Sequence, residues 1–450
     1  GAAERVPVAG AVAAVADDLK LFWLGLAAFA SATSMRVCDP MLPRLAQDFD
    51  LSLGAAAGVI TLYTVAYGLF QLVHGPIGDH HGKPRVVALA SLVSAAGSLA
   101  CALAPGFAVL QAARFVTGAS AAAIVPLSMA FIGDSVAYHE RQRALAKFIN
   151  ATILGLVLGQ AMGGLFADTL GWRAAFALLA LLFATAGVAL VRTGRSQPAA
   201  TVSAATVSAA TAPAGRAAGP GAGGAVDAAG AMGAMGTSGT SSTVDAAAAV
   251  GALARYRAVL AAPWARIVLA TVLLEGVLVF GALAFFPSFL HRRFGLALWA
   301  AGATVTAFGV GGILYTASVR VLMRRLGERG LSLAGGALLA AGFLLMAAAG
   351  SLYLGVLACL LAGLGYYMLH NTLQTNATQM VPAQRGTAVS MFAMSLFLGQ
   401  SVGVAAAGLA VPAGGFEPTF VFCGIALALL GALFAASFGR RPAAHAGDRP

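Results

Sequence analysis

Long apolar runs without charge recur along this chain of 450 residues. Leu21 to Met35 and Ala174 to Val191 are two of them. About 20 apolar residues cross the hydrocarbon core of a bilayer as a helix, because only a helix or a closed barrel satisfies its own backbone hydrogen bonds there. Barrel strands instead alternate apolar and polar residues over about 10 positions. The runs therefore predict an all-α integral membrane protein.

The composition agrees with this prediction. Hydrophobic residues make up 60% of the chain and charged residues only 10%, against about 25% charged residues in soluble domains. The net charge of +11 could suggest nucleic acid, but basic residues also mark the cytoplasmic side of membrane proteins, so no nucleic-acid partner is expected. The four cysteines all lie in apolar runs without metal-ligand spacing, and no metal or cofactor is expected.

Twelve membrane spans are predicted. They cover residues 20–43, 54–74, 84–104, 107–133, 145–167, 172–192, 264–290, 297–319, 330–350, 353–379, 386–411 and 416–438. Residues 193–262, between spans 6 and 7, are rich in Ala, Gly, Ser, Thr and Val and are predicted to be a flexible linker, whose end near Asp245 to Leu260 could form a helix beside the membrane. The predicted organisation is a tail (1–19), a six-helix bundle (20–192), the linker (193–262), a second six-helix bundle (263–438) and a tail (439–450).

The distribution of basic residues predicts the orientation. With the amino terminus inside, 21 of the 27 Lys and Arg fall in cytoplasmic segments and four in external ones. Both termini are therefore expected in the cytoplasm. No cleavable signal peptide is recognised, and the first apolar run is expected to be a retained helix.

A short sequence is repeated in the two halves of the chain. Residues 156–163 read LVLGQAMG in span 5, and residues 396–403 read LFLGQSVG in span 11. Spans 5 and 11 are equivalent if the second half repeats the first, as in many secondary transporters. The repeat predicts pseudo-twofold symmetry, with Gln160 and Gln400 meeting a central cavity from opposite halves.

Three short motifs carry further information. Residues 75–85, between spans 2 and 3, read GPIGDHHGKPR; residues 114–118 in span 4 read RFVTG; residues 155–164 in span 5 read GLVLGQAMGG. A short basic turn would satisfy the charge rule alone, but it would not explain Asp79 between two glycines. Small residues let helices approach closely, and a carboxylate can meet a basic partner or a helix amino terminus.

In these motifs the chain resembles the major facilitator superfamily, and within it the twelve-helix bacterial drug:proton antiporters. Residues 75–85 are similar to the family pattern G-x-x-x-D-x-x-G-[RK]-x-[RK], and Arg114 to Gly118 to R-x-x-x-G. The span 5 motif is similar to G-x-x-x-G-P-x-x-G-G, with Gln160 in place of Pro. The glycine spacing favours close helix packing, whereas the bend expected from proline does not follow. The packing glycines are Gly155, Gly159, Gly163 and Gly164.

The resemblance implies the major facilitator fold: two six-helix bundles, each with inverted repeats, facing each other across a cavity and rocking to give alternating access. It also implies that the loop after span 2 clasps spans 2 and 11 and latches the outward-facing state, with Asp134 as an acidic partner. The implied latch consists of Gly75, Gly78, Asp79, Gly82, Lys83, Arg85 and Asp134.

Glu275 is the one carboxylate placed deep in the membrane, roughly 17 Å from the inner end of span 7 at about 1.5 Å per residue. An intramembrane ionisable residue is costly and so suggests function, and apolar surroundings favour the neutral form that a proton carrier needs. Glu275 is predicted to carry the proton or bind a cationic substrate. The alternative is a carboxylate neutralised by a nearby Arg or hydroxyl.

Two other sets of charged residues lie in or near the membrane. Arg36 and Asp39 are three residues apart in span 1, where they can pair on one helical face, as a structural pair or as a cavity group (Arg36) with a proton site (Asp39). Arg114 lies about 10 Å below the outer end of span 4. The resemblance implies a role for it in proton handling, and the alternative is a cross-link to helix carbonyls.

Polar side chains form two clusters in spans 2 and 10. Tyr63, Tyr67 and Gln71 recur every four residues, and they either line the cavity or fill helix contacts. Asn371 and Gln374 share a helical face beside His370, which either titrates near neutral pH or forms a structural hydrogen bond. These six residues are candidates for the substrate cavity.

The sequence favours secondary active transport, namely proton-coupled efflux of a small organic compound. Proton-coupled uptake of a nutrient or metabolite and a non-transporting membrane sensor are the alternatives. An enzyme is not expected, since no metal cluster, nucleophile elbow or paired carboxylates occur. The expected partners are substrate, protons and lipid, with a monomer in a bacterial inner membrane.

Overall fold

The computed structural model describes residues 6–136, 138–195 and 254–441, and these form helices joined by short turns, without strands. The first half contains helices Val6–Arg36, Leu42–Asp48, Leu53–Ala56, Gly58–His81, Lys83–Ala102, Phe107–Ala121, Ile124–Ser135, Tyr138–Asp168 and Trp172–Arg195. The second half contains helices 254–261, Pro263–Glu275, Gly281–Leu283, Phe286–Phe294, Leu298–Val305, Ala307–Ala347, Leu352–Gln379, Arg385–Gly414 and Phe416–Ser437. Gly276–Phe280 is a π-helix, and Pro382–Gln384 and Phe438–Arg440 are 3₁₀ turns.

The described helices account for all twelve predicted spans. Ten continuous helical stretches of the described chain are long and apolar enough to cross a membrane. One of these, Leu298–Ala347, has 50 residues and breaks at Gly327, whose φ of 62° and ψ of 179° are not helical. It therefore provides spans 8 and 9. Span 1 lies in the 31-residue helix Val6–Arg36, where Lys20 and Arg36 lower the mean hydropathy.

The segment predicted as the loop between spans 2 and 3 is mostly helical, which corrects its boundaries. Helix Gly58–His81 includes Gly75 to His81, and the chain turns at Gly82, where φ is 89°. The membrane-spanning helix continues past its apolar part because polar side chains on a helix are readily solvated outside the hydrocarbon core. Gly82 ends it because glycine adopts positive φ without steric cost.

The end of span 1 also differs from its predicted boundary. The helix stops at Arg36, and residues 37–41 form a turn before helix Leu42–Asp48. Pro40 explains the early stop, because proline lacks an N–H and disfavours helical geometry in the residue before it. Arg36 and Asp39 consequently do not share one helix.

Glycines of span 5 lie against the backbone of span 1. A Cβ at Gly159 would lie 2.9 Å from the carbonyl oxygen of Thr33, and one at Gly163 would overlap that of Val37. Gly155 packs in the same way one turn earlier in span 5. The glycine spacing thus serves the close contact between these two spans.

Span 11 repeats this contact on span 7. A Cβ at Gly399 would overlap the carbonyl oxygen of Leu273, and one at Gly403 that of Val277. All four positions follow their counterparts in spans 1 and 5 by 240 residues. The repeat between residues 156–163 and 396–403 therefore reflects equivalent places in two related bundles, and the predicted pseudo-twofold fold is confirmed.

Most of the predicted linker, residues 196–253, lies outside the described residues, as do residues 1–5 and 442–450. Its described ends are helical: span 6 continues to Arg195, and residues 254–261 form a helix before span 7. The Tyr256 hydroxyl of that helix donates to the carbonyl oxygen of Leu72 in span 2 over 3.3 Å. The end of the linker thus contacts the opposite bundle.

Candidate functional site

A cavity of about 240 Å³ lies between the two bundles. Spans 1 and 5 line it from the first half, and spans 7, 8 and 10 from the second. Its lining residues are Arg36, Ile153, Leu156, Val157, Gln160, Phe280, Leu283, Val305, Thr306, Phe308, Gly309, Tyr366, Tyr367, His370, Asn371 and Gln374. Five of the residues proposed from the sequence meet here: Arg36, Gln160, His370, Asn371 and Gln374.

Glu275 lies behind the wall of this cavity, and its side chain contacts one of the lining residues. Its carboxylate is fully buried, and its Oε2 lies 2.7 Å from Nδ1 of His370. No described residue bonds its Oε1. The partner is thus the imidazole, which lines the cavity, and neither an Arg nor a hydroxyl as the structural alternative supposed.

Local backbone geometry positions Glu275. Helix Pro263–Glu275 ends at this residue, and the π-helix Gly276–Phe280 follows. The π-helix adds a residue to the turn, and such turns are frequent at functional sites. A Cβ at Gly276 would overlap the carbonyl oxygen of Leu396, so the glycine lets span 7 lie directly on span 11.

The second charged pair lies across the cavity, where spans 1 and 5 meet. Nη1 of Arg36 is 3.5 Å from Oδ2 of Asp39, and Nε2 of Gln160 donates to that same oxygen over 2.8 Å. The Arg36 guanidinium also lies 4.4 Å from the centre of the Phe280 ring in span 7. Arg36 therefore faces the cavity, whereas Asp39 is enclosed between helices.

Arg114 is fully buried inside the first bundle, away from the cavity lining. Its Nη1 donates to Oγ of Ser34 over 3.0 Å and its Nε to the carbonyl oxygen of Val59 over 3.3 Å. Its guanidinium is 3.9 Å from the centre of the Tyr63 ring. No carboxylate of the described chain is ion-paired with it, so the observed contacts are those of a helix cross-link. Its role in proton handling stays a prediction.

The aromatic stripe of span 2 fills helix contacts in this conformation. The Tyr63 hydroxyl donates to the carbonyl oxygen of Ser31 over 3.4 Å, and the Tyr67 ring packs edge-on against Phe397 of span 11 at 4.6 Å. Neither tyrosine, nor Gln71, lines the cavity. Their role in substrate binding stays a prediction.

Gln400 does not line the cavity either, unlike its counterpart Gln160. Its side chain is fully buried, and within the described residues neither its Nε2 nor its Oε1 has a hydrogen-bond partner. The two glutamines occupy equivalent backbone positions, but within the described residues only the first one bonds a charged group, Asp39. Equivalent backbone positions in the two halves therefore have side chains with different hydrogen bonding.

Four aromatic residues of the cavity were not proposed from the sequence: Phe280, Phe308, Tyr366 and Tyr367. The available signal was the position of Tyr366, four residues before His370 on span 10. The two rings stack at 4.8 Å with an interplanar angle of 19°. Phe308 and Phe280 pack on Tyr366 from spans 8 and 7.

The two bundles close together at the end of the molecule that carries Asp168. There the Asp168 carboxylate accepts a hydrogen bond of 2.8 Å from the backbone N–H of Trp299. A Cβ at Gly164 would overlap the backbone of Leu298, and one at Gly54 the backbone of Gly408. Spans 5 and 8 and spans 2 and 11 therefore touch backbone to backbone at this end.

The bundles separate toward the opposite end, where Asp79 lies. The contact between spans 2 and 11 continues through Thr64 and Ser401, whose hydroxyls are 2.7 Å apart, and then through Gly68. Farther along, nothing lies within 4 Å of a Cβ built on Gly75. The backbone contacts between the bundles thus lie toward the Asp168 end and do not extend to Gly75 at the Asp79 end.

Comparison with known proteins agrees with this architecture. The family model described as Major Facilitator Superfamily matches residues 24–384 and 333–450, which together include most of the chain. The chain belongs to the Major Facilitator Superfamily. It is accordingly an integral membrane protein of a transporter family, whose fold is that of transporters and not of enzymes.

Curated superfamily members align over shorter segments. The chain is 32% identical over 189 residues to the puromycin resistance protein pur8 of Streptomyces alboniger, covering 39% of this chain and 37% of that one. It is 29% identical over 163 residues to a probable actinorhodin transporter of Streptomyces coelicolor, covering 34% of this chain and 28% of that one. The chain thus spans about a third of the length of the curated relatives it matches.

Solved superfamily structures match over nearly the whole chain. A bacterial homologue of the human lysosomal transporter Spinster, solved in an inward-facing and unoccupied conformation, superposes with a TM-score of 0.68 at 16% identity, covering 94% of this chain and 98% of that one. The POT family transporter PepTSo gives 0.67 at 15% identity, covering 94% of this chain and 99% of that one. At these identities the similarity shows the fold alone.

The superfamily loop after span 2 has a charged centre. Nζ of Lys83 is 3.4 Å from Oδ1 of Asp79 and also bonds the Asp134 carboxylate. Gly78 packs on the side chain of Leu127, whereas Gly75 has no such neighbour. Arg85 is exposed at the start of span 3. The structure thus brings Asp79, Lys83 and Asp134 together, and their action as a latch stays a prediction.

Proposed function

We propose that this protein exports a small organic compound across the cytoplasmic membrane in exchange for protons, by rocking its two bundles about the central cavity. The observation that carries the proposal is the buried Glu275 carboxylate bonded to His370, which itself faces the cavity. A carboxylate in the middle of the membrane is costly unless it is neutralised or paired. The imidazole pairs with the carboxylate, and this pair can bind or release a proton.

The names of relatives support export as the direction. One relative is named as a puromycin resistance protein and another as a lincomycin resistance protein of Streptomyces lincolnensis. A third, from Mycobacterium tuberculosis, is named as a multidrug resistance protein. A transporter confers resistance by removing a compound from the cell, and we extend that direction to this chain.

The conformation fits one state of such a cycle. The excess of basic residues at the Asp79 end favours that end as the cytoplasmic side. In that orientation the backbone contacts between the bundles lie toward the outside, which fits an inward-facing state. Substrate would enter from the cytoplasm, and His370 would transfer protons between the cavity and Glu275.

Glu275→Gln tests the proposal. The amide mimics the neutral carboxyl with almost no change in volume but does not release a proton. In proteoliposomes with an imposed pH gradient and a panel of organic compounds, we expect proton-driven flux to fall by about a hundredfold or more, the lower end of the range for a general acid–base group. Binding of the transported compound should persist and depend less on pH.

Glu417→Gln is the matched control, because the same change is made at a half-buried carboxylate outside the cavity. That variant should keep wild-type flux. Wild-type flux in Glu275→Gln would remove Glu275 from the mechanism and leave Asp39 as the next carboxylate to test. Flux that moves in the same direction as the protons would replace export by proton-coupled uptake.

A further inference from the structure

The two charged pairs beside the cavity are oriented in the same way. Asp39 and Glu275 are both 0% exposed and lie behind the cavity wall, whereas Arg36 and His370 line it with side-chain exposures of 9% and 13%. No carboxylate is among the lining residues. The wall therefore offers basic groups to a bound compound, and the acids are screened from it by their own partners.

The groups on the wall also retain unused hydrogen-bond donors. Arg36 has five N–H donors, and its one hydrogen bond within the described chain is the 3.5 Å contact with Asp39. The side-chain amides of Asn371 and Gln374 have no partner within the described residues. The guanidinium of Arg36 and the amide N–H groups are suited to an oxygen-rich group, and the unpartnered Oε1 of Gln160 adds an acceptor to the same wall.

Aromatic rings form the rest of the wall. Phe280 and Phe308 lie 5.1 Å and 5.5 Å from Tyr366, ring centre to ring centre, and Tyr367 lies edge-on to Tyr366 at 5.2 Å. The Arg36 guanidinium already lies over the Phe280 ring. Such rings favour a flat apolar body that can stack offset or edge-to-face, with ring centres about 4.5–7 Å apart.

We propose that this cavity binds a planar aromatic anion, a carboxylate or an ionised phenol on one or two fused rings. The anionic oxygens would accept hydrogen bonds from Arg36 and from the amides of Asn371 and Gln374. The ring system would pack between Phe280, Phe308 and the two tyrosines. This inference rests on the proposed function, since it takes the cavity as the place where the transported compound binds.

The size of the cavity suits one or two fused rings. Pockets for drug-sized ligands have volumes of about 300–1,000 Å³, and this cavity, at about 240 Å³, is smaller. A basic wall also discriminates by charge, because a cation would approach Arg36 without meeting a carboxylate. Burial strengthens that discrimination, since the attraction or repulsion between charges grows as the effective dielectric constant falls.

Three probes of one shape but different charge test the inference. The purified protein in detergent is titrated at neutral pH with 2-naphthoate, 2-naphthamide and 2-naphthylmethylammonium, and heat or tryptophan fluorescence reports binding. We expect naphthoate to bind at least about tenfold more tightly than the ammonium probe, with the neutral amide in between. Ammonium binding as tight as naphthoate binding, or tighter, would overturn the inference.

Arg36→Gln should remove most of the preference for naphthoate over naphthamide, and Arg36→Lys should keep it in part, because the charge remains but the planar fork of donors is lost. Arg44→Gln is the matched control: it removes an arginine that pairs with Asp48 outside this cavity, and the preference should persist. A full preference in folded Arg36→Gln would show that the anion binds elsewhere.

The test is independent of proton coupling, because no gradient is imposed. If naphthoate is preferred and Glu275→Gln still transports normally, the ligand class stands and proton coupling through Glu275 fails. If the charge preference is absent and Glu275→Gln loses proton-driven flux, the proposed ligand class fails and proton coupling through Glu275 stands. Should Arg36→Gln fail to fold, the ranking of the three probes on the wild-type protein still decides the question.

Discussion

Asp39 shows how polar partners on two helices can hold a single buried carboxylate. Its Oδ2 accepts from Gln160 of span 5 and contacts Arg36 of span 1, while no described residue bonds its Oδ1. Removing one member of a buried pair leaves the other charge uncompensated, and this costs more than removing both. The pair should therefore reveal itself through stability as well as through transport.

Asp39→Asn is expected to lower the free energy of unfolding by about 3 kcal/mol, because it leaves the buried Arg36 guanidinium without an opposing charge. The side chain keeps its shape, so lost packing contributes little. The measurement is thermal unfolding of the purified protein in detergent, at neutral pH and fixed protein concentration.

The double variant Arg36→Gln/Asp39→Asn is the control for this prediction. It removes both charges and should recover most of the lost stability. A double variant that is less stable than Asp39→Asn alone would contradict the pairing, since Arg36 would then be stabilising the fold through other contacts such as its stacking on Phe280.

At the scale of helices, the contact between helix 254–261 and span 2 follows from a single proline. Pro76 lies inside helix Gly58–His81 and has no N–H, so the carbonyl of Leu72, four residues earlier, has no helical donor. Tyr256, at the end of the linker, supplies one at 3.3 Å. The end of the linker thus satisfies a carbonyl that span 2 itself leaves open.

Tyr256→Phe should destabilise this conformation by about 1 kcal/mol, the net contribution of a typical hydrogen bond. In the background Pro76→Ala the new N–H can bond to Leu72, and the same tyrosine change should then have little effect. Labelling rates of cysteines introduced at the Asp79 end would report the balance of states. Equal effects of Tyr256→Phe in both backgrounds would show that the hydroxyl does not act through that carbonyl.

The sequence was sufficient to predict the helices, but not how each helix is rotated about its own axis against its neighbours. Run length gave the spans, and the two LGQ copies gave the repeat, because both are properties of one stretch of chain. The pairing of Glu275 with His370 joins residues 95 positions apart, and it depends on a π-helical turn and on how spans 7 and 10 rotate against each other. Single-sequence patterns carry no such information, so the four aromatic rings of the cavity were also missed, whereas Arg36 and His370 were proposed from the sequence as cavity residues.

For the whole molecule, the charges around Lys83 lie where the two bundles are apart. Asp79 and Asp134 side chains are 72% and 62% exposed there. Exposed ion pairs contribute about 0–1 kcal/mol to stability, so this cluster adds little to the fold itself. A contribution of that size is still enough to shift a balance between two conformations of similar free energy.

Asp79→Asn should therefore change conformation more than stability. We expect thermal unfolding to stay close to that of the wild type, naphthoate binding to be kept, and transport to fall. Cysteine labelling should show a greater population open at the Asp79 end. Glu140→Gln, which removes an exposed carboxylate on the same side, is the control, and equal loss of binding and transport in Asp79→Asn would indicate misfolding or direct substrate contact instead.

The seal at the Asp168 end is made largely by glycine against main chain, at Gly54, Gly164, Gly302 and Gly408. An interface of this kind has few side chains that could move aside individually, so the movement of one residue would not admit water. The two faces would have to part along their length in one cooperative event. An added methyl group at any of these glycines would act as a wedge, and turnover speed could evolve there without altering what the cavity selects.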